Sequence, residues 1–407
     1  MRDRVVITGF GCVSSLGVGT AAFVDGLLAG RSGIAPITSF STEGCRSHTA
    51  ALLRDFDPSR FLEPLKLRRV DEVGRLALAA CRLAIDDARL PTKTDGVGVV
   101  MGTATSGLHS TLSHLRSLTE GGPAAVPALG FSNTVGNAAA SLCAIEFGLR
   151  GPNITFAQKQ ASSLAAIAYA ARALEDGRIS AFLTGGFDDF EEQFFRVHDR
   201  LRVLARASTD GGEEASRPFD RRRNGFVLGA GGHVVVLETA TSAGARGATV
   251  YGEVLGLGTG ASESALNGWP ADGAGIARTM RAALDEAGLE PAHVDVVFAS
   301  ANSSRGLDHA EASALEAVFG PSAVPVVSLK GAIGEHGAAG AAALTAALLC
   351  PRRGQVPPTL GSSEPDPACR VDISVAARPA RGPVALINAT AAGGSHYTLA
   401  VKALPQD

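Results

Sequence analysis

The sequence predicts a layered α/β protein, and three observations carry that expectation. Of 407 residues, 45% are hydrophobic and only 5% aromatic, while glycine alone accounts for 49. Small residues let helices and sheets pack closely, which favours stacked layers over a β-sandwich. Short apolar runs also alternate with longer stretches of helical periodicity, the pattern of strands covered by helices. Finally, the alternation occurs twice, in two sets that resemble each other.

The first set opens with the strand "VVITGFG" (Val5–Gly11). It continues through an amphipathic helix over Val70–Leu90 and strands at Val97–Gly102, Ala181–Gly186 and Gly231–Glu238. The second opens with Val250–Gly260. A helix over Ile276–Leu289 follows, with strands at Val294–Ser300 and Ala323–Lys330 and two more near the end. "RVVITGFGCVSSLG" and "ATVYGEVLGLGTGA" both read as strands ending in glycine-rich loops. The small, polar stretch Glu238–Ala248 suits a connection, which divides the chain into halves at 1–245 and 246–407. "GAAGAAALTAALLC" (Gly337–Cys350) is too short and too rich in small residues to span a bilayer and reads as a buried helix.

The formal net charge of −3 gives no electrostatic footprint for nucleic acid or an anionic membrane. The six cysteines form no CxxC pair, so neither a zinc site nor a redox pair is expected. Reduced core thiols and an opening that runs straight into a strand, with no apolar leader, lead to the expectation of a cytoplasmic protein. No metal or organic cofactor is implied.

Five segments, in order, resemble the β-ketoacyl-ACP synthase family: "RVVITGFGCVSSLG", "FGLRGP" (Phe147–Pro152), "SRPFDRRRNGFVLGAGG" (Ser216–Gly232), "VSLKGAIGEHGAAG" (Val327–Gly340) and "INATAAGGSHYTL" (Ile387–Leu399). The resemblance implies a thiolase fold: a duplicated αβαβα five-layered sandwich with two mixed sheets. It also implies condensing chemistry. A thiolate at a helix N-terminus would hold an acyl chain, and two imidazoles beside it would serve as donors or acids.

At the positions that match the family's motifs, those groups are missing. The nucleophile's position, nine residues after Gly151, carries Gln160, whose amide is neither ionisable nor nucleophilic. The first imidazole's place is taken by Asn302, which cannot exchange a proton usefully near neutral pH. After Lys330 and Gly334 the second imidazole's place is taken by Glu335, with His336 one residue late. A one-residue shift on a helix turns a side chain by roughly 100°, so His336 need not face the pocket. Lys330 reads as an ion pair bracing its loop, and His309 as a surface residue. In the closing loop Thr390 and Ala392 stand where the family has aromatics, while Gly393 and Gly394 keep the bend.

Within the family, glutamine at the nucleophile's position resembles the chain-length factors of type II polyketide synthases. These are non-condensing subunits that pair with a ketosynthase carrying intact Cys and His, receive substrate from an acyl carrier protein, and shape the tunnel for the growing chain. The resemblance places tunnel or interface residues at Leu108, Thr111 and Leu115, which share one helical face, and at Phe131. The arginines of Arg221–Gly225 and Arg196–Arg202 are candidates for meeting an acidic carrier, or simply a solvated face. The alternative reading is a malonyl-ACP decarboxylase of the loading-ketosynthase type, which also carries glutamine but usually keeps both imidazoles.

Overall fold

The structure, a computed structural model, describes residues 3–207 and 212–405. Its first mixed sheet is built from β1 (Val5–Ser14), β2 (Val97–Gly102), β3 (Asn153–Phe156), β4 (Ala181–Asp188) and β5 (Gly231–Thr239). The spatial order is β3-β2-β4-β5-β1; β2 runs parallel to β3 and β4, and the β4–β5 and β5–β1 pairs are antiparallel. The second sheet repeats this plan with β6 (Gly252–Ala261), β7 (Val296–Phe298), β8 (Pro325–Val327), β9 (Val384–Thr390) and β10 (Ser395–Ala403), in the order β8-β7-β9-β10-β6. The parallel and antiparallel pairings fall at the same places. The two sheets touch: Val5–Ile7 of β1 pairs antiparallel with Gly252–Val254 of β6, so hydrogen bonding runs from one into the other.

Helices make the remaining layers. α1 (Glu72–Ala88) and α3 (Ala138–Phe147) cover the outer face of the first sheet, with α2 (Leu108–Gly121) near the edge they share. α6 (Ala274–Ala287) and α7 (Arg305–Phe319) cover the outer face of the second. Between the sheets lie α4 (Ser162–Glu175) and α8 (Ala339–Leu349), and the largest apolar cluster forms around them. Every α8 residue from Ala339 to Leu348 is buried, as expected of a helix that is apolar all round. This is the five-layered thiolase fold. α5 (Glu192–Arg200) lies outside the repeat.

The expected helix over Val70–Leu90 is α1, capped by the Asp71 side chain accepting from Gly74 N at 3.0 Å and stopped by Arg89 at φ 49°. Other boundaries shift. β7 is only three residues long, because the chain leaves the sheet at Ser300, where the two oxygens of one buried α7 carboxylate, Glu311, take the N–H groups of Ser300 and Ala301.

The glycines of β1 and β6 lie inside the strands rather than in loops after them. A Cβ on Gly11 would fall 1.9 Å from Ala80 O of α1; one on Gly258 would fall 1.9 Å from Thr279 O of α6. Gly9 and Gly256 meet the next turns of the same helices at Ala84 O and Ala283 O. The duplication therefore extends to how each first strand lets its helix approach. Gly258→Ala should cost about 3 kcal/mol or more in urea unfolding, because the obstacle is backbone. Gly244→Ala, where nothing lies within 4 Å, should stay within about 0.5 kcal/mol of the parent.

Candidate functional site

Both central helices begin at one point. Ser163 N at the start of α4 donates to Gly337 O at 3.0 Å, and Ala341 N of α8 donates to Ser163 Oγ at 3.1 Å. The turn Lys159–Ala161 leads into α4, and Lys159 sits at φ 49°, a conformation that costs a non-glycine residue about 1 kcal/mol or more. Ser162 Oγ steadies this elbow by accepting from Gln158 N at 2.9 Å. Gln160 is thereby presented at the elbow, half-buried. Its Oε1 accepts a hydrogen bond from Ala392 N at 3.1 Å. A backbone N–H can be met only by the amide oxygen, so Nε2 is left facing the other way.

A cavity of about 360 Å³ opens beside Gln160. Apolar side chains dominate its wall, among them Phe194 and Val197 from α5, Leu201 just after it, and Phe226 and Leu228; its polar end holds Gln160, Glu335 and His336. Ala392 closes part of the rim.

Both carboxylate oxygens of Glu335 are engaged. One carboxylate oxygen pairs with Lys330 Nζ; the other accepts from Asn302 Nδ2 at 2.7 Å. Asn302 Oδ1 in turn accepts from Ser304 N at 3.0 Å. All three residues are buried. The backbone holds Glu335 in place as well: its N–H donates to Val227 O at 2.7 Å and its carbonyl accepts from Gly229 N at 3.0 Å. This chain of contacts satisfies charge and hydrogen bonding but holds no group poised to give or take a proton.

His336 lies in the interior, close against Gly229 and Gly231, its ring stacked on His233 with centroids 6.1 Å apart. None of the four ring nitrogens has a partner. Burial pushes the pKa of His336 well below the usual imidazole range, with the nearby His233 ring and the Lys330 ammonium adding to the effect; burial alone holds His233 at about 3. Both rings are neutral. His309 is exposed on α7.

In the closing loop, Thr390 is buried and its Oγ1 lies 3.2 Å from His396 Nδ1, while Gly393 and Gly394 take φ of 102° and 92°. Leu108, Thr111, Leu115 and Phe131 are not part of the cavity. α2 and the turn Ala128–Thr134 pack together through Thr111 Oγ1, which donates to Thr134 O at 3.2 Å, and through the His114 ring, edge-on to Phe131. Leu108 and Thr111 are half-buried; Leu115 is 50% and Phe131 66% exposed. With Leu118 and Val135 they leave an uncovered apolar face.

Several residues of the site escaped the sequence reading. Lys159 lines the cavity, and its Nζ donates to Leu266 O at 2.5 Å and Asn267 Oδ1 at 3.0 Å. Asp308 and Glu311, one turn apart on α7, shape the Asn302 loop. Asp308 accepts from Asn302 N and Ser303 N, Glu311 from Ser300 N and Ala301 N. Burial raises Asp308 to about 7 and Glu311 above its ordinary value. An acidic pair at i, i+3 directly after a Ser/Asn-rich turn was the available signal.

With this geometry in view, the comparisons with known proteins agree. Residues 2–243 match the model of the beta-ketoacyl synthase N-terminal domain and residues 251–363 that of its C-terminal domain. The chain is 36% identical to the tetracenomycin polyketide synthase ketoacyl synthase beta subunit of Streptomyces glaucescens, covering 98% of both chains. It is 32% identical to a 3-oxoacyl-[acyl-carrier-protein] synthase 2 of Coxiella burnetii, again over 98% of each. Among solved structures, the ishigamide ketosynthase/chain length factor superposes with a TM-score of 0.92 at 31% identity, covering 99% of this chain and 100% of that one. A type II polyketide synthase ketosynthase, solved with its acyl-carrier protein and a hexaketide, gives 0.91 at 26% identity, covering 99% and 100%. The chain belongs to the β-ketoacyl synthase family.

Two outcomes follow from the buried groups. Glu335→Gln should cost about 3–5 kcal/mol in urea unfolding by stranding the Lys330 ammonium, and Lys330→Met/Glu335→Gln should cost less than the two single changes summed. His233 has a folded pKa below its unfolded value, so its contribution is complete above about pH 6.5 and is lost as pH falls towards 3. The stability of His233→Leu relative to the parent should therefore rise by about 1.4 kcal/mol per pH unit below 6.5, measured by unfolding at a series of pH values.

Proposed function

We propose that this chain is a chain-length factor: a non-condensing subunit that pairs with an active type II polyketide ketosynthase and shapes the space into which the acyl-carrier-bound chain grows. The observation that carries this reading is the amide at the elbow. Gln160 stands where the family's thiolate would be, and the Asn302–Glu335–Lys330 contacts fill the place of the two imidazoles with groups already committed to one another. Gln160 offers no sulfur on which a thioester could form, and its amide nitrogen is not nucleophilic.

The uncovered apolar face supports a partner. Leu115, Leu118, Phe131 and Val135 are unusual on a free surface, and a ketosynthase of the same fold, with its own Cys and His, is the proposed cover. On this reading Leu108, Thr111, Leu115 and Phe131 bound the tunnel from this subunit's side. Leu115 and Phe131 are exposed in the single chain, as an interface requires.

The experiment is reconstitution with a ketosynthase and an acyl carrier protein. This chain alone should produce no elongated chain, and the pair should. Leu108→Phe or Leu115→Phe should shorten the product. Elongation by the isolated chain, or release of carbon dioxide from malonyl-carrier protein by it alone, would replace this reading with a condensing enzyme or a decarboxylase, respectively.

A further inference from the structure

Three segments meet around Gln160, and each is bonded to the other two. The elbow reaches the closing loop through Ala392 N donating to Gln160 Oε1 at 3.1 Å and Ser395 Oγ to Gln158 Oε1 at 3.3 Å. The closing loop reaches the Ser262–Gly268 loop through Gly393 N donating to Gly268 O at 3.0 Å and Ser262 N to Gly394 O at 2.8 Å. The elbow reaches that same loop through Lys159 Nζ on Leu266 O and Asn267 Oδ1. The triangle is tight: a Cβ on Gly394 would fall 2.1 Å from Ser262 O.

Gln160 also stands between two spaces. On one side is the cavity of about 360 Å³; on the other is a void of about 10 Å³ bordered by Ser300, Lys330, Gly340, Ala343 and Asn388. The second is room for about one water molecule.

We propose that Lys159 and Gln160 are positioning residues that latch the 391–394 loop shut, so that a chain entering this subunit's cavity is confined to its outer side and cannot pass Gln160 into the interior. This rests on the non-condensing reading and gives the glutamine a mechanical task. A cysteine here would lack the amide oxygen that reaches Ala392 N. A lysine accepts the strained φ because its ammonium gains two oxygen acceptors on the facing loop. The closed triangle is cooperative, since releasing one side frees both loops to move together.

Amide hydrogen exchange on the full purified chain, resolved to single residues, tests the latch. Gln160→Met keeps the bulk but loses the acceptor, whereas Gln160→Glu keeps an acceptor. In Gln160→Met the protected amides of 391–394 should exchange together, about five- to tenfold faster, the loss expected for one net hydrogen bond. Gln160→Glu should stay close to the parent. Lys159→Met should speed exchange in both 391–394 and the protected amides of 262–268. An increase confined to the Ala392 amide, or equal exchange in Gln160→Met and Gln160→Glu, would overturn the latch. Failure of the chain-length reading would show separately, as product length indifferent to Leu108 and Leu115, with the exchange result unaffected.

Discussion

The buried carboxylate of Glu335 is the constraint on which the site depends. Taking a carboxylate and an ammonium out of water costs several kcal/mol each, and their mutual attraction offsets that only when the remaining lone pairs are also satisfied. Here each oxygen is bonded: Lys330 takes one, Asn302 Nδ2 the other, and Asn302 Oδ1 is taken by Ser304 N. Remove any member and a charge or amide is stranded in the interior. The three residues therefore stand as a set. Asn302 is not a weakened substitute for an imidazole; it is the amide that a carboxylate at Glu335 needs. The Val227 and Gly229 backbone, which fixes Glu335 from both sides, commits the side chain to that arrangement.

The architecture explains why the set lies beside Gln160. Two copies of one strand–helix plan face each other across α4 and α8, and both helices start at the same point. Helix N-termini favour negative charge, which makes such a point suited to holding a thiolate. An uncharged amide draws little from that field. What remains valuable at the junction is geometry: a strained elbow that aims one side chain outward, and a bend of two glycines facing it. The elbow and the glycine bend are scaffold features that fix where the Gln160 amide sits, whatever it meets there.

Much of this was legible in the chain itself, for reasons that differ by residue. The strands at Val97–Gly102 and Val384–Thr390 could be read because uninterrupted apolar runs have few other uses in a buried sheet. The repeat was legible too, but its glycines were misplaced. "GFG" and "GLG" look like turns until α1 and α6 are seen crossing them, because only packing distinguishes a glycine needed for approach from one needed for a turn. Spacing fixed Gln160, Asn302 and Glu335 as positions but not their mutual bonds, which join residues from separate segments. Lys159 was invisible for the same reason: its strained backbone and its acceptors at Leu266 and Asn267 belong to the assembled loops.

The same packing bears on where a long chain could lie. The space behind Gln160 is nearly filled, with Phe298, Leu329 and the alanines of α8 closing around it. The outer cavity is near the lower end of the range for small-ligand pockets. Neither space inside this single chain accommodates an extended polyketide, yet the molecule leaves leucines and a phenylalanine uncovered along α2 and the turn that packs on it. Burying such a face against a second subunit removes apolar area from water and also creates a new enclosed boundary. The uncovered face on α2, rather than the filled space behind Gln160, is where further apolar surface can still be buried.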